Sequence, residues 1–490
     1  MLCVCYIRLD LRGFQNLEGL EQRQNGETLM FTEQFFIEGL GCASYLVGSE
    51  EQRMAAVIDA DRDVRKYLDA AREHGVTITH IIETHLHADH VSGNTELAAR
   101  TGAKIFLHEA ANATFPHEAL REGDTLALGT LCMKVLHTPG HTPESMTLLI
   151  TDTTRGDEPA LALTGDTLFV GDVGRPDLVG VEAARQLASA MYDSIEQKLL
   201  PLADGLMIYP GHGAGSLCGR ALGEMRVSTM GYERHFNSAL APRTREEFIV
   251  FDISDLPEQP GNNQRIKSMN RQGPHVLGEI QPKPLSIDEA LMQFERGAAL
   301  LDTRSKANYV ARHIPGGVHL EANHHLSNRV GMVLTTEQPI VLLLDDPAKS
   351  RDIFFMLARV GFDNIAGYLA EGLDAWEARG LPTASGDIQD IDPRELEARL
   401  HEDSRLVVVD VREPWEFRNG HVPGAKLVPL GELQARIAEL DPNQPVAVIC
   451  ETGARSQTGA ALLAQKGFKT IYNVREGTSG WRRHGFPIER

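Results

Sequence analysis

Between residues 30 and 254 the chain runs as short apolar segments broken by glycine, proline or charge: CASYLVG, AAVIDA, ITHIIET, AKIFLH, MKVLHT, MTLLIT and LALTGD. Such segments, bounded by turn formers, predict strands buried in sheet interiors. Apolar residues recurring at spacings of three and four predict helices over 64–74, 93–100, 183–200 and 221–237. These helices fall between groups of strands, the order of an α/β fold. Residues 255–284 are rich in Pro, Gly, Asn and Gln with little periodicity and read as a linker. Residues 1–29 are polar and without motif, an unassigned N-terminal extension; Arg8, Asp10 and Arg12 interrupt its apolar start and argue against a signal peptide.

Past the linker the chain repeats itself. LLDTRSKANYVARHIPGGVHL aligns with VVDVREPWEFRNGHVPGAKLV, setting Asp302 against Asp410, Arg304 against Arg412, His313 against His421 and Pro315 against Pro423, each pair 108 positions apart. Farther on, Trp376 and Trp481 are separated by 105. Two modules follow, 285–385 and 390–490, each alternating strands with helices as a small parallel sheet covered on both faces does.

Composition narrows the function. With 48 Lys+Arg against 68 Asp+Glu the net charge is −20 and no long basic block offsets it, so nucleic acid is not an expected partner. No apolar run approaches the roughly 20 residues of a membrane span. The six cysteines, Cys3, Cys5, Cys42, Cys132, Cys218 and Cys450, lack the spacing of a disulfide scaffold, which predicts a cytoplasmic protein. Cys42 and Cys132 lie in apolar strands and read as packing residues; Cys3 and Cys5 carry no signal.

The densest chemistry is THLHADH at 84–90, directly after a predicted strand. His141 in TPGHTPES, Asp166 in LTGDTLF and His212 in YPGHGAG also leave apolar strands beside glycine. With His85, His87, Asp89 and His90 they make seven potential ligands, and the close spacing of His85, His87 and His90 lets one loop present several imidazoles to a point, as metal coordination requires. The arrangement over residues 30–250 resembles the metallo-β-lactamase superfamily, which implies an αββα sandwich with its metal at one edge.

That resemblance implies two metal sets. In glyoxalase II-like hydrolases His85, His87 and His141 hold one zinc, Asp89, His90 and His212 a second, and Asp166 bridges. In the persulfide dioxygenase branch His85, His141 and Asp166 hold a single Fe(II), one per domain, and His87, Asp89, His90 and His212 orient ligands and waters. Two imidazoles and one carboxylate leave positions for a thiolate and O2 together. The segment TLFVGDVGRPDL at 167–178 resembles the dioxygenase branch, where an arginine at the position of Arg175 helps hold the carrier thiol. The helical C-terminal domain of glyoxalase II has no counterpart here.

In the last module an apolar strand ends at Cys450 and runs into an amphipathic helix. The backbone N–H groups of Glu451, Thr452, Gly453 and Ala454, the following helix terminus and Arg455 can wrap the sulfur and stabilise a thiolate or persulfide. DVREPWEF, GHVPGA, CETGARS and GWRRHGFP, in that order, resemble the rhodanese sulfurtransferases, with one departure: Glu451 stands where a basic or neutral residue is usual, which disfavours a strongly anionic donor. The middle module keeps DTRSKANY, HIPGGV and GLDAW but has Asp345 in place of Cys450 and contains no cysteine, so it reads as a degenerate rhodanese serving as spacer, docking surface or half of an interface. His324 and His325 read as a solvated pair. Cys218 lies six residues after His212. The segment resembles thiosulfate-forming dioxygenase-sulfurtransferase fusions in which this cysteine takes part; an ordinary Gly-rich loop cysteine is the opposing reading.

Together the resemblances imply an α/β fold of one αββα sandwich (30–254), a linker and two rhodanese-like domains. They imply an enzyme of sulfur metabolism and sulfide detoxification, oxidising a glutathione- or coenzyme A-type persulfide with O2 to sulfite. A Cys450 persulfide then exchanges sulfur between sulfite and thiosulfate, in a homo-oligomer. The alternative is a dinuclear Zn(II) thioester hydrolase fused to a sulfurtransferase.

Overall fold

The computed structural model describes residues 30–490 apart from 217, 220, 221, 255, 257–261, 386 and 387, so the extension 1–29 lies outside the described residues. The described residues divide into two compact units, the first ending at Gly278 and the second Glu279–Arg490.

In the first unit β1 (Met30–Ile37), β2 (Cys42–Ser49), β3 (Met54–Ile58), β4 (Thr77–Ile82), β5 (Lys104–His108) and β6 (Glu118–Leu120) form one sheet in that order. A second sheet takes β7 (Thr125–Leu128), β8 (Leu131–His137), β9 (Met146–Asp152), β10 (Leu161–Gly165), β11 (Met207–Pro210) and β12 (Ser228–Thr229), ordered β12-β11-β10-β9-β8-β7. Alternate strand residues point to opposite faces, so an almost wholly apolar strand serves two cores. In β2, Ala43, Tyr45 and Val47 meet Met133, Val135 and Leu148 of the second sheet. Leu46, on the other face, joins Tyr67 and Leu97 of the helices Arg65–Glu73 and Asn94–Thr101. Leu149, Ala162 and Ile208 on the outer face of the second sheet cluster with Met191 and Phe248 of Val181–Ser194 and Arg245–Ile253. The result is the αββα sandwich expected.

Two local expectations change. The helix expected over 221–237 is confined to Met230–Phe236, because Ser228 and Thr229 pair with Ile208 and Met207 as an edge strand and the Thr229 hydroxyl accepts the Tyr232 N–H as a cap. Residue 221 lies outside the described residues. Within the expected linker, Asn263–Gln272 is a helix whose buried residues are Asn263, Ile266 and Asn270. A buried stripe that is two-thirds asparagine gives no apolar period, which is why the sequence conceals it.

The second unit holds two parallel sheets. The first comprises β13 (Pro284–Leu285), β14 (Ala299–Asp302), β15 (Val318–His319), β16 (Ile340–Leu343) and β17 (Ile365–Leu369), ordered β13-β17-β16-β14-β15. The second comprises β18 (Ile388–Ile391), β19 (Val407–Asp410), β20 (Lys426–Leu427), β21 (Val446–Ile449) and β22 (Ile471–Val474), ordered β18-β22-β21-β19-β20. The identical strand order is the structural form of the internal repeat.

Candidate metal centre and cysteine loop

The loop after β4 is pinned from below. Asp59, held at a φ of +55°, accepts the Thr84 N–H at 2.7 Å and the Thr84 hydroxyl at 2.8 Å, and Glu144 accepts the Leu86 N–H at 3.1 Å. Asn270, from the helix inside the expected linker, donates to the carbonyls of His87 and His90, both at 2.8 Å, and accepts the Ser92 N–H at 2.9 Å.

One donor atom from each of His85, His141 and Asp166 lies within 4.8 Å of the others, and all three residues are buried. Asp166 Oδ2 is 3.8 Å from His85 Nε2 and 3.3 Å from His141 Nε2. His141 Nε2 and Asp166 Oδ2 are buried without a hydrogen-bond partner. Orphans of this kind cost about 1–3 kcal/mol each, and a cation between them removes the penalty. The remaining atoms are oriented from behind: His141 Nδ1 donates to the Arg175 carbonyl at 2.9 Å, His85 Nδ1 meets the Thr84 hydroxyl at 3.0 Å, and Asp166 Oδ1 accepts from His212 Nδ1 at 2.7 Å. Burial pushes the His85 and His141 pKa values down. For Asp166 burial acts upward, but His212, His85 and His141 outweigh it and hold the carboxyl well below its usual range. Neutral imidazoles beside a carboxylate are the protonation states of a metal-binding set. The glycine of the GH motif has a steric reason: a Cβ on Gly211 would meet Asp166 Oδ1 at 2.5 Å.

The other expected ligands lie in neighbouring clusters: His87 with Asp59 and Glu83, His212 with Asp89 and Cys218, and His90 with Asp89 and Cys42. His87 Nε2 lies 3.3 Å from both Asp59 and Glu83; burial lowers its pKa, yet the two carboxylates reverse that and raise it. His212 is flanked by carboxylates on both ring nitrogens, with Nε2 at 2.8 Å from Asp89 Oδ2. Burial works against its charge, but Asp166, Cys218 and Asp89 raise its pKa. His212 thus bridges Asp166 and Asp89, and with Asp89 and Cys218 it places donor atoms within 4.8 Å of one another. His90 sits 3.3 Å from Asp89.

Two thiols border this edge. Cys218 Sγ is 3.9 Å from His212 Nε2. Cys42, expected as packing, instead donates to Asp89 Oδ2 at 2.8 Å and clusters with Asp89 and His90. Its apolar strand context hid it, since the strand's first residue is where β2 meets the His212 segment. Arg175 is buried and forks onto Asp177 at 2.6 and 2.8 Å, while its backbone N–H donates to the Cys218 carbonyl at 2.9 Å.

In the second unit Cys450 is 1% exposed at the end of β21, ahead of the helix Ala454–Gln465. Gly453 N–H donates to its sulfur at 3.2 Å, and the thiol reaches the Ser456 hydroxyl at 3.6 Å. Gly453 sits at φ +94°, a left-handed turn that aims the N–H inward. Arg455 is paired with Glu416 through two bonds of 2.6 Å. Glu451 accepts from Ser479 (2.6 Å), Thr478 (2.8 Å), Arg412 (2.9 Å) and Arg482 (3.0 Å), so its charge is compensated inside the module. The remaining loop residues, Thr452, Gly453 and Ala454, line a cleft. At the position of Cys450, Asp345 of the middle module accepts the Ser305 N–H at 2.7 Å and the Asn308 amide at 2.6 Å. The rings of His324 and His325 pack against each other at 3.9 Å, and burial with neighbouring Arg329 pushes the His325 pKa down to about 4.

Residues 37–212 match the metallo-beta-lactamase superfamily, and 286–379 and 392–484 each match the rhodanese-like domain. A mitochondrial persulfide dioxygenase of Mus musculus is 28% identical over 255 residues, 49% of this chain and 86% of its own length. A sulfurtransferase of Allochromatium vinosum is 35% identical over 101 residues, 21% of this chain and 94% of its own. A hydroxyacylglutathione hydrolase of Polaromonas sp. is 34% identical over 172 residues, 34% of this chain and 61% of its own. The crystal structure described as a metallo-beta-lactamase from Staphylococcus aureus superposes with a TM-score of 0.62 at 34% identity, covering 70% of this chain and 99% of that one.

Proposed function

We propose, for a chain that belongs to the metallo-β-lactamase superfamily and carries two rhodanese-like domains behind that fold, persulfide oxidation at the first unit and sulfur transfer at Cys450 in the second. The observation that carries the first half is the partition of ligands. His85, His141 and Asp166 converge on one point without His87, whose buried Nε2 lies 3.3 Å from Asp59 and Glu83, and without His212, which bridges Asp166 and Asp89. That partition supports one ion rather than two.

His85, His141 and Asp166 would hold an Fe(II) ion, which supplies activation of O2 and of a sulfur anion when bound. The chain's own part is positional. The Arg175 carbonyl fixes the tautomer of His141, and His212 fixes the rotamer of Asp166. The substrate is a low-molecular-weight persulfide of the glutathione or coenzyme A type; O2 oxidises its outer sulfur, and water cleaves the sulfur–sulfur bond to give sulfite and the free thiol.

At Cys450 the outer sulfur of a Cys450 persulfide passes to sulfite. The sulfite lone pair attacks the outer sulfur, the bond from that sulfur to Sγ breaks with its electron pair returning to Sγ, and thiosulfate leaves. The Gly453 N–H supports the anionic sulfur in either direction. Free Cys42, Cys132, Cys218 and Cys450 support a reducing compartment, for which we propose the cytoplasm. Among the described residues no helix is long and apolar enough to cross a membrane.

The test is anaerobic purification, quantification of iron and zinc, and oxygen-electrode assays on glutathione and coenzyme A persulfides. About one iron per chain is expected, with oxygen uptake lost in His85→Ala. Two zinc ions per chain with thioester hydrolysis at equal rate under argon would falsify the reading and favour the hydrolase.

A further inference from the structure

Within Glu279–Arg490 lies a cleft of about 260 Å³ walled on one side by Thr452, Gly453 and Ala454 of the cysteine loop. The facing wall comes from the cysteine-free module, through Lys306, His319 and Arg329. The walls are fastened to each other: Gln465 donates to the Gly317 carbonyl at 3.2 Å, Gln434 to the Val333 carbonyl at 3.4 Å, and the Lys306 ammonium to Asp390. Asp390 also accepts from the Asn473 amide at 2.8 Å, Asn473 accepts the Ser456 hydroxyl at 2.7 Å, and Ser456 accepts the Cys450 thiol at 3.6 Å. A hydrogen-bonded line therefore joins an ammonium of the middle module to the reactive sulfur of the last.

Charge in the cleft is left uneven. Arg455 is neutralised by Glu416 and Glu451 by Arg412 and Arg482, all within the last module. Arg329 of the middle module is partly buried and takes part in no hydrogen bond or ion pair among the described residues. Its guanidinium interacts electrostatically with Cys450, Arg455 and Glu321. Beside it, His319 is 1% exposed and its Nδ1 has no partner, and both polar atoms of the Gln457 side chain are likewise buried and unpartnered. A guanidinium fork with unused donors, set among orphaned polar groups at the mouth of a thiol loop, matches the oxygens of a small oxyanion.

We propose that the cysteine-free module is the acceptor-binding half of the Cys450 site, with Arg329 receiving the oxygens of sulfite while its sulfur takes the outer sulfur from Cys450. The assignment rests on the sulfur transfer proposed above and adds the residue that selects an anionic acceptor. The step needs no further reactant: the new bond joins the two transferred sulfurs, the bond to Cys450 Sγ breaks, and its electron pair returns to Sγ. Arg329 holds charge and changes no bond.

The test uses full-length protein loaded with persulfide at Cys450 and offered either sulfite or the uncharged thiol dithiothreitol. In Arg329→Gln the KM for sulfite rises about tenfold, the loss of one charge-assisted contact, while transfer to dithiothreitol stays within about twofold. Arg329→Lys recovers part of the sulfite KM. Equal decline toward both acceptors, or an unchanged sulfite KM in a variant whose mass spectrum still gains the persulfide sulfur, overturns the assignment. A wild-type Cys450 that never gains sulfur sinks the underlying transfer reading and the assignment with it.

Discussion

The two modules of the second unit share sheet order and most of their motif residues, yet one carries a thiol and the other an aspartate. The comparison separates scaffold from chemistry. Arg304 forks onto Asp302 at 2.9 and 2.6 Å, and Arg412 onto Asp410 at 3.0 and 2.7 Å. His313 and His421 bond the carbonyls of Tyr309 and Phe417 at 3.0 and 2.9 Å, and the Trp376 and Trp481 indoles donate to the carbonyls of Pro382 and Pro487 at 3.0 and 2.7 Å. The matched residues are therefore struts, present with or without a nucleophile. What differs is the loop after β16 or β21, where Asp345 ties down Ser305 and Asn308 while Cys450 faces a glycine N–H and a serine hydroxyl.

The largest expected effect breaks the difference between the two copies. Cys450→Ser removes sulfur uptake and transfer entirely, since a hydroxyl carries no sulfane sulfur, while oxygen uptake by the first unit persists. Asp345→Cys does not restore transfer, because its surroundings are built to be capped by a carboxylate. Mass spectrometry of each variant after exposure to glutathione persulfide reads both results. Sulfur gained by Asp345→Cys with Cys450 absent would mean that the loop matters less than the bare thiol.

Next comes the shared scaffold. Asp302→Ala leaves the buried Arg304 guanidinium without a carboxylate, costing about 3–5 kcal/mol in its module, while Asp410→Ala costs less because Arg412 keeps Glu451 at 2.9 Å. Hydrogen exchange resolved by module measures this without assuming a single two-state transition. Losses below about 1 kcal/mol in both would show that these pairs are not struts.

The same contrast explains what the sequence disclosed. Duplication was legible because struts recur in the same order at offsets of 108 and then 105, and Asp302, Arg304, His313 and Trp376 keep their identities after the nucleophile is gone. Strand exits bearing glycine and histidine marked the metal edge. Spacing alone did not say which imidazoles converge, since His85 and His87 are two residues apart; the resemblance to the dioxygenase branch put forward His85, His141 and Asp166, which do cluster, while His87 lies beside Asp59 and Glu83, both outside the THLHADH motif. Asn270 was concealed for a different reason, since it does its work from a helix with a polar buried face lying 180 residues from His90 in sequence. Arg329 carries no motif at all, and its place across the cleft from Thr452, Gly453 and Ala454 follows from how two copies dock.

The smallest effect sharpens the comparison at the residue after Cys450. Burial pushes the Glu451 pKa upward, but hydrogen bonds from Ser479 and Thr478 and the charges of Arg482 and Arg412 outweigh it and leave the carboxyl below its ordinary value. A folded-state pKa below the unfolded one, near 4.3 for glutamate, stabilises the module fully above that pH. The stabilisation fades as pH falls toward the folded value, because the unfolded chain binds its proton first. Glu451→Gln should therefore be less stable than wild type at pH about 7, with the gap narrowing on acidification below about 4. Module-resolved denaturation midpoints at neutral and acid pH measure it. A gap of constant size across that range would mean that the carboxylate's charge does nothing and that its hydroxyl partners alone hold the loop in place.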